Sequence, residues 1–86
     1  TDYLNISPVR VDGRMAGYRL NPGRDPELFN QLGLVANDLA VSINGLDLRD
    51  NAQAMQAMQQ VASATEMTVT VERQGQLYDV YVGLSE

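Results

Sequence analysis

The sequence predicts a single α+β domain, in which a bent antiparallel sheet of five to six strands is capped by one short and one longer helix. Short segments throughout the chain alternate apolar and polar residues, which is the pattern of half-buried strands. Two other segments begin with helix-capping residues and carry apolar side chains at helical spacing. A chain of 86 residues is long enough for one hydrophobic core and too short for two.

The opening segment, Leu4–Val11, predicts a strand at the edge of the sheet. It is rich in β-branched residues and alternates apolar with polar residues on both sides of Pro8. Because proline lacks the N–H that a strand donates to its neighbour, we expect an edge strand or a bulge at Ser7 and Pro8. An Asp-Gly pair then turns the chain into a second short strand over residues 17–20.

The next segment predicts a short helix. Asp25 can cap the free amides at its start, and Pro26 suits the first helical position. Gly33 is expected to end the helix, because the position after a helix favours glycine. The apolar face of this helix consists of Leu28, Phe29 and Leu32.

A third strand and a longer helix follow. Residues 39–43 alternate in the manner of a strand, and the Asn-Gly pair at 44–45 predicts a tight turn into a brief return strand. Asp50 is expected to cap a helix that runs from about residue 51 to 62. Gln53, three residues later, completes a pair that is similar to a capping box.

The last third of the chain predicts a hairpin. Residues 67–72 alternate apolar with polar side chains, and a Gln-Gly pair at 74–75 turns the chain into a return strand over residues 77–82. The two faces of that strand carry Tyr78, Val80 and Val82 on one side and Leu77, Asp79 and Tyr81 on the other. The predicted order is therefore strand, strand, short helix, strand, brief strand, long helix, strand, strand.

The ionisable residues exclude several classes of function. The chain has six basic residues, all of them arginine, eleven acidic residues, and no His or Cys. Without His, Lys or Cys, a serine has no base to activate it, and the common soft metal ligands are missing. Asp47 and Asp50 lie close in sequence, but a strand end and a helix cap explain them. We therefore predict no catalytic residue, no metal and no cofactor, and hence no enzyme.

Charge and hydropathy limit the partners. A formal net charge of −5 without a basic cluster predicts no nucleic-acid partner. No apolar run approaches the length of a membrane span or of the core of a signal peptide, so we expect no direct membrane insertion. Because the chain begins at Thr1, we expect residues 1–86 to be one domain excised from a longer protein.

The order of elements and three segments resemble PDZ domains. These segments are Gly17-Tyr18-Arg19-Leu20, the helix ending at Gly33, and Asn37-Asp38-Leu39-Ala40-Val41-Ser42-Ile43-Asn44-Gly45. The last is similar to the GDxIxxVNG signature of PDZ domains, with Asn37-Asp38 where Gly-Asp usually stands. The extra opening strand, and a first helix that follows the second strand, resemble the order of bacterial PDZ domains.

Within that superfamily, the chain resembles the PDZ domain of type II secretion system protein C, of the EpsC kind. The resemblance covers the run from Tyr18 to Leu48 in the correct order and extends over essentially the whole chain. It implies a periplasmic domain of a bacterial inner-membrane protein, which follows a transmembrane helix and belongs to a machine that exports folded proteins. The implied partners are exported substrate proteins or other secretion components.

The resemblance to PDZ domains also implies a peptide-binding groove. An extended peptide would add as a strand beside an exposed edge of residues 17–20. The segment that replaces the usual Gly-Leu-Gly-Phe loop, together with the strand after it, contributes Arg14, Met15, Ala16, Gly17, Tyr18, Arg19 and Leu20. A side chain at Met15 narrows the cradle of amides for a terminal carboxylate, while Arg14 offers a charged donor.

The helix wall of this groove maps onto Asn51, Met55, Met58 and Ala62. Two thioethers would form a soft wall that suits apolar ligands. Each assignment has a structural alternative: the methionines fill the core, Arg14 is a solvated loop charge, Gly17 serves a turn, and Tyr18 buries its ring.

Three functions remain open at this point. The first is a protein-interaction module of type II secretion. The second is a regulatory module of an envelope protease, because such proteases carry PDZ domains with a similar strand order. The third is a spacer or assembly domain that uses a surface other than the groove. Nothing in the sequence predicts an oligomeric state.

Overall fold

The structure is a computed structural model, and it describes residues 4–83. It confirms the α+β class and the predicted order of elements. The strands are β1 (Leu4–Val11), β2 (Arg14–Pro22), β3 (Asp38–Ile43), β4 (Leu46–Asp47), β5 (Glu66–Arg73) and β6 (Gln76–Gly83), and the helices are α1 (Pro26–Gln31) and α2 (Asn51–Ser63). Thr1, on which the expectation of an excised domain depended, lies outside the described residues.

The strands form one antiparallel sheet in the order β1-β2-β3-β5-β6, and β4 pairs with β3. Within residues 4–83, β1 and β6 are therefore the two edges of the long path, while β2 is internal. The predicted edge position of the proline-containing first strand is confirmed. The only α-helices in this part of the chain are too short and too polar to cross a membrane.

The hairpin of β1 and β2 is longer than predicted. Asp12 and Gly13 both have positive φ, at 52° and 78°, which is the geometry of a two-residue hairpin turn that keeps the strands paired up to the turn. Of the two alternatives predicted for the first strand, the edge position is the one observed, and Ser7 and Pro8 pair with β2 without a bulge. The register shifts instead after Val9, which pairs with Gly17, and the extra residue is on β2, at Ala16.

The core lies between the sheet and the two helices. Its largest fully buried apolar side chains are Phe29 of α1, Leu48 after β4, and Val71 of β5. Helix α2 contributes only the small side chains of Ala54 and Ala57 to the buried core. The other side chains of α2 are exposed or only partly buried.

Both helices begin as predicted. The Asp25 carboxylate accepts the backbone N–H of Leu28, and the Asp50 carboxylate accepts that of Ala52. Gln53 does more than complete a cap: its amide donates to the Asp50 carboxylate and its carbonyl accepts the backbone N–H of Asp47. The start of α2 is thereby fixed to β4.

Backbone geometry explains why Asn37 and Gly17 stand at their positions in the PDZ-like segments. Asn37 has a φ of 75°, in the left-handed region that Asn and Gly adopt most readily, so it can replace the usual glycine. Gly17 has a φ of 146°, and a Cβ there would lie 2.5 Å from the carbonyl oxygen of Ala40. Glycine is required at position 17 because β2 passes so close to β3.

Candidate ligand-binding groove

A cavity of about 190 Å³ opens between β1 and α2. Its lining is apolar throughout and comes from α2, from all the long strands and from the segment after α1: Ile6, Leu20, Leu32, Leu34, Ala40, Ile43, Met58, Val61, Met67, Val69 and Val82. Ile6 on β1 is 55% exposed and Met58 on α2 is 49% exposed, so the cavity is flanked by two accessible apolar side chains. Such a cavity can receive an apolar group from solvent.

The β1 wall of this cavity is an unpaired strand edge. In the described part of the chain, β1 pairs with β2 on one side and with no strand on the other. The other wall, α2, packs on the domain mainly through Ala54 and Ala57 and does not pack closely against β1. An extended chain can therefore approach β1 from the side of α2 without displacing an existing strand.

The prediction of an exposed edge at residues 17–20 is wrong. One side of this segment pairs with β1, through Ser7 to Arg19 and Ile6 to Leu20, and the other side pairs with β3. Both edges of β2 are thus occupied, and a peptide cannot add there without breaking a ladder. Within residues 4–83 the long path of the sheet ends at β1 and at β6, and β1 is the free edge that carries an exposed residue of the cavity, Ile6.

The predicted loop before that strand is itself part of β2. Arg14 is exposed beside the turn, Met15 is half-buried opposite Arg10, and Ala16 is the bulged residue. Because these residues are in a paired strand, they do not form an open cradle of amides for a terminal carboxylate. Tyr18 is half-buried and packs against the core, which is the structural alternative considered for it.

Arg19 and Leu20 also have structural partners. The guanidinium of Arg19 donates to the backbone carbonyl of Asn37 at 3.0 Å, which fixes the loop before β3. Leu20 is buried in the core and lines the cavity. Of the seven strand-side residues predicted for the groove, Leu20 alone lines this cavity.

On the helix side, Met58 lines the cavity, whereas Asn51, Met55 and Ala62 do not. Met55 is 67% exposed and Met58 is 49% exposed, so the alternative that both methionines fill the core is wrong. The fully buried residues of α2 are instead alanines. Met55 lies less than one turn from Met58 on the same helix and serves as a matched comparison residue.

Sequence reasoning missed Ile6 as a residue of the groove. The available signal was Pro8, since an edge strand that contains proline offers its free side to a ligand. The remaining lining residues are ordinary core positions, which a sequence cannot distinguish from the wall of a cavity.

The shifted ionisable groups lie outside the cavity. A hydrogen bond from the Arg49 side chain holds the pKa of Asp47 below its usual range, and Asp47 correspondingly raises the pKa of Arg49. A hydrogen bond with Glu66 raises the pKa of Tyr81, and one with Asp38 raises the pKa of Arg73. None of these residues is among those that line the cavity.

Several proteins are similar to this chain. Type II secretion system protein C of Aeromonas hydrophila is 94% identical over 86 residues, and that of Klebsiella pneumoniae is 58% identical over 84 residues. The chain spans 30% of the length of each of these relatives. A scan against protein-family models finds no match.

Solved structures agree in sequence and in fold. The PDZ domain of the pullulanase C protein of the type II secretion system from Klebsiella pneumoniae, in complex with fatty acid, is 57% identical with a TM-score of 0.88, and the match covers 96% of this chain and 86% of that one. The PDZ domain of EpsC from Vibrio cholerae, residues 204–305, is 45% identical with a TM-score of 0.84, covering 95% and 78%. This chain therefore belongs to the type II secretion system protein C family and has the fold of its PDZ domain.

Proposed function

We propose that the domain is a non-catalytic protein-interaction module of the type II secretion apparatus. It recognises exported substrate proteins or another secretion component by docking an extended segment along β1, with an apolar side chain in the cavity. The observation that carries this proposal is that β1, within residues 4–83, has a strand partner on one side only and lies beside an apolar cavity. Membership of the type II secretion system protein C family favours this role over that of a protease module.

The context of the domain is part of the same proposal. The curated relatives are more than three times as long as this chain, since it spans 30% of each. We infer that residues 1–86 are one domain of a longer membrane-anchored protein and lie on the periplasmic side of the inner membrane. This location gives the groove access to proteins on their way out of the cell.

The physical basis of docking is strand addition. Main-chain hydrogen bonds along β1 supply affinity for any extended segment, and the cavity supplies selectivity for one side chain. In an edge strand, the backbone nitrogen of a proline faces the unpaired side, where it has no N–H to donate. A strand added to β1 therefore receives one hydrogen bond fewer at Pro8. The cavity must therefore contribute much of the binding free energy.

The size of the cavity limits what enters it. An apolar cavity of about 150 Å³ in another protein holds one benzene molecule. A cavity of about 190 Å³ accordingly suits one large aliphatic or aromatic side chain rather than several. We expect a single anchor residue in each docked segment.

A second candidate ligand is an aliphatic chain. The related domain from Klebsiella pneumoniae is described in complex with fatty acid, and the cavity of this chain has an entirely apolar lining. The same cavity would accept the end of an acyl chain, because burial of each CH₂ group contributes about 0.8 kcal/mol. A fatty acid would then compete with the anchor side chain.

An amide NMR titration tests the proposed function. The domain is titrated with extended peptides that carry one Leu or Phe, each with a free and an amidated C-terminus, and with decanoate. We expect shifts at β1 and at the residues around Met58 with both peptide forms, and decanoate should displace the peptide. Shifts confined to another face, as a spacer or assembly domain would give, contradict the proposal.

A matched pair of variants locates the ligand. Met58→Glu places a charge at the cavity and should abolish peptide and decanoate binding. Met55→Glu places the same charge on the same helix but away from the cavity lining, and it should bind as the wild type does. Equal losses of affinity in the two variants would indicate that the added negative charge repels the ligand wherever it lies on α2. The cavity would then not be the site of binding.

A further inference from the structure

The two walls of the groove carry a single ionisable side chain. Strand β1 has 8 residues and helix α2 has 13. Among them only Arg10 is ionisable, and the polar residues of α2 are Asn, Gln and Ser. A ligand lying between β1 and α2 would therefore meet one formal charge on these walls, and that charge is positive.

Arg10 belongs to the face of β1 that carries the cavity. Successive side chains of a strand alternate between its two faces, so Arg10 is on the same face as Ile6, which lines the cavity. The bulge of the hairpin does not reverse this alternation, because the extra residue is Ala16 on β2. Four residues of strand separate the two Cα atoms by about 13 Å.

The Arg10 guanidinium has no acceptor among the contacts found within residues 4–83. Three other arginines do: Arg19 donates to Asn37, Arg49 to Asp47 and Arg73 to Asp38. Arg10 is exposed, and its partner across the hairpin is Met15. Its charge is therefore available to a ligand.

The turn next to Arg10 holds two more charges, those of Asp12 and Arg14. Both are exposed. Arg14 pairs with Val11, the neighbour of Arg10 on β1, so it belongs to the opposite face of the hairpin. Arg14 thus has the same charge and similar exposure as Arg10 but does not face the groove.

We infer that Arg10 selects for an acidic side chain in the docked segment, four positions from the apolar residue that occupies the cavity. The inference rests on the proposed function, since it concerns a segment that adds to β1. Residues directly opposite each other on neighbouring strands share a face. The segment's residue opposite Ile6 enters the cavity, the residue two positions on meets Pro8, and the residue four positions on meets Arg10.

The size of the effect follows from exposure. An ion pair at the surface strengthens binding by about two- to fivefold, and salt screens it. The partner fitted by this surface is therefore an extended polypeptide segment with one apolar anchor and one Asp or Glu four residues away. Acidic residues elsewhere in the segment gain nothing, because the domain itself carries a net charge of −5.

Binding of labelled peptides, followed by fluorescence anisotropy at low and high salt, tests the inference. Each peptide has one Leu anchor and a single Glu placed two or four positions before or after it, with Gln in the matched peptide. We expect a Glu four positions from the anchor, on one side only, to lower the Kd about two- to fivefold. A Glu two positions away should give no gain, and high salt should remove the gain at four.

Two variants identify which arginine interacts with the Glu of the peptide. Arg10→Gln should abolish the difference between the Glu and Gln peptides, whereas Arg14→Gln should retain it. Equal loss in both variants, or no difference in the wild type, would overturn the role of Arg10 while leaving docking at β1 intact. Failure of every peptide to bind would overturn the proposed function and this inference together.

Discussion

The carboxylate of Asp38 accepts two hydrogen bonds from the guanidinium of Arg73, with Nε to Oδ1 at 2.8 Å and Nη2 to Oδ2 at 2.7 Å. Asp38 is only 1% exposed, and it also accepts the backbone N–H of Val35 at 2.9 Å. The same guanidinium donates to the carbonyl of Gly33 and lies 4.9 Å from the ring centre of Tyr78. One ion pair thus connects the end of α1, the start of β3 and the last hairpin.

Removal of Arg73 should destabilise the domain strongly. Arg73→Met leaves the buried carboxylate of Asp38 without its counter-ion, which costs about 3 kcal/mol of the free energy of unfolding. Urea denaturation followed by circular dichroism measures this loss. Arg49→Met, which breaks the exposed pair with Asp47, should cost less than about 1 kcal/mol. Similar losses in the two variants would contradict the importance of burial.

Gly17→Ala should destabilise the domain by at least about 2 kcal/mol, because the new Cβ would collide with the Ala40 carbonyl. Gly75→Ala is the matched control. Gly75 also has positive φ, at 80°, but a Cβ there would meet nothing within 4 Å. It should lose only about 1 kcal/mol from backbone strain. Equal denaturation midpoints for the two variants would show that β2 and β3 can move apart at this position and avoid the collision.

Pro8→Val should promote self-association. The change restores a backbone donor and adds a β-branched side chain on a free strand edge, which favours pairing between two copies. Sedimentation velocity over a range of concentrations would detect it. Ser7→Val adds the same side chain without restoring a backbone donor, so its self-association should remain as weak as that of the wild type. A monomeric but more stable Pro8→Val variant would mean that the missing donor faces β2.

The ion pair of Arg49 and Asp47 should make the free energy of unfolding of the domain slightly dependent on pH in the acid range. The pKa of Asp47 is lowered in the folded state, first by the hydrogen bond from the Arg49 side chain. In the unfolded chain it returns to about 3.9. At a pH between the lowered pKa of the folded state and the pKa of the unfolded chain, the folded state binds fewer protons than the unfolded state. The stability that this pair contributes is therefore present above about pH 4 and is lost as the pH falls further.

The contribution should be below about 1 kcal/mol, because both side chains are exposed. Urea denaturation of the wild type and of Asp47→Asn at pH 6 and pH 3 measures it. The difference in stability between the two proteins should shrink at pH 3. A difference that grows on acidification would contradict the direction of the pKa shift.

Much of the fold was predictable because its signals are local. The caps Asp25 and Asp50, the glycine after α1 and the Asn-Gly turn each act within a few residues of their position, and each appears in the structure where it was expected. The first strand was also correctly predicted to be an edge strand from Pro8. These features depend on neighbours in sequence and not on the packing of the whole chain.

The site was less predictable because it depends on which strands become neighbours. The resemblance of Gly17 and Tyr18 to a peptide-binding loop placed the groove on β2, but β1 pairs with that strand and occupies the edge. Likewise, helical spacing could not decide whether alanines or methionines of α2 face the sheet. The folded packing, which depends on elements that are distant in sequence, buries Ala54 and Ala57.

The apolar core has a consequence for how this domain can diverge. The largest fully buried apolar side chains, Phe29, Leu48 and Val71, lie outside β1 and α2. The accessible side chains at the groove, such as Ile6 and Met58, contribute far less to the core. Substitutions there can change the preferred ligand of the cavity at little cost in stability, so the groove can diverge among related domains while the scaffold stays the same.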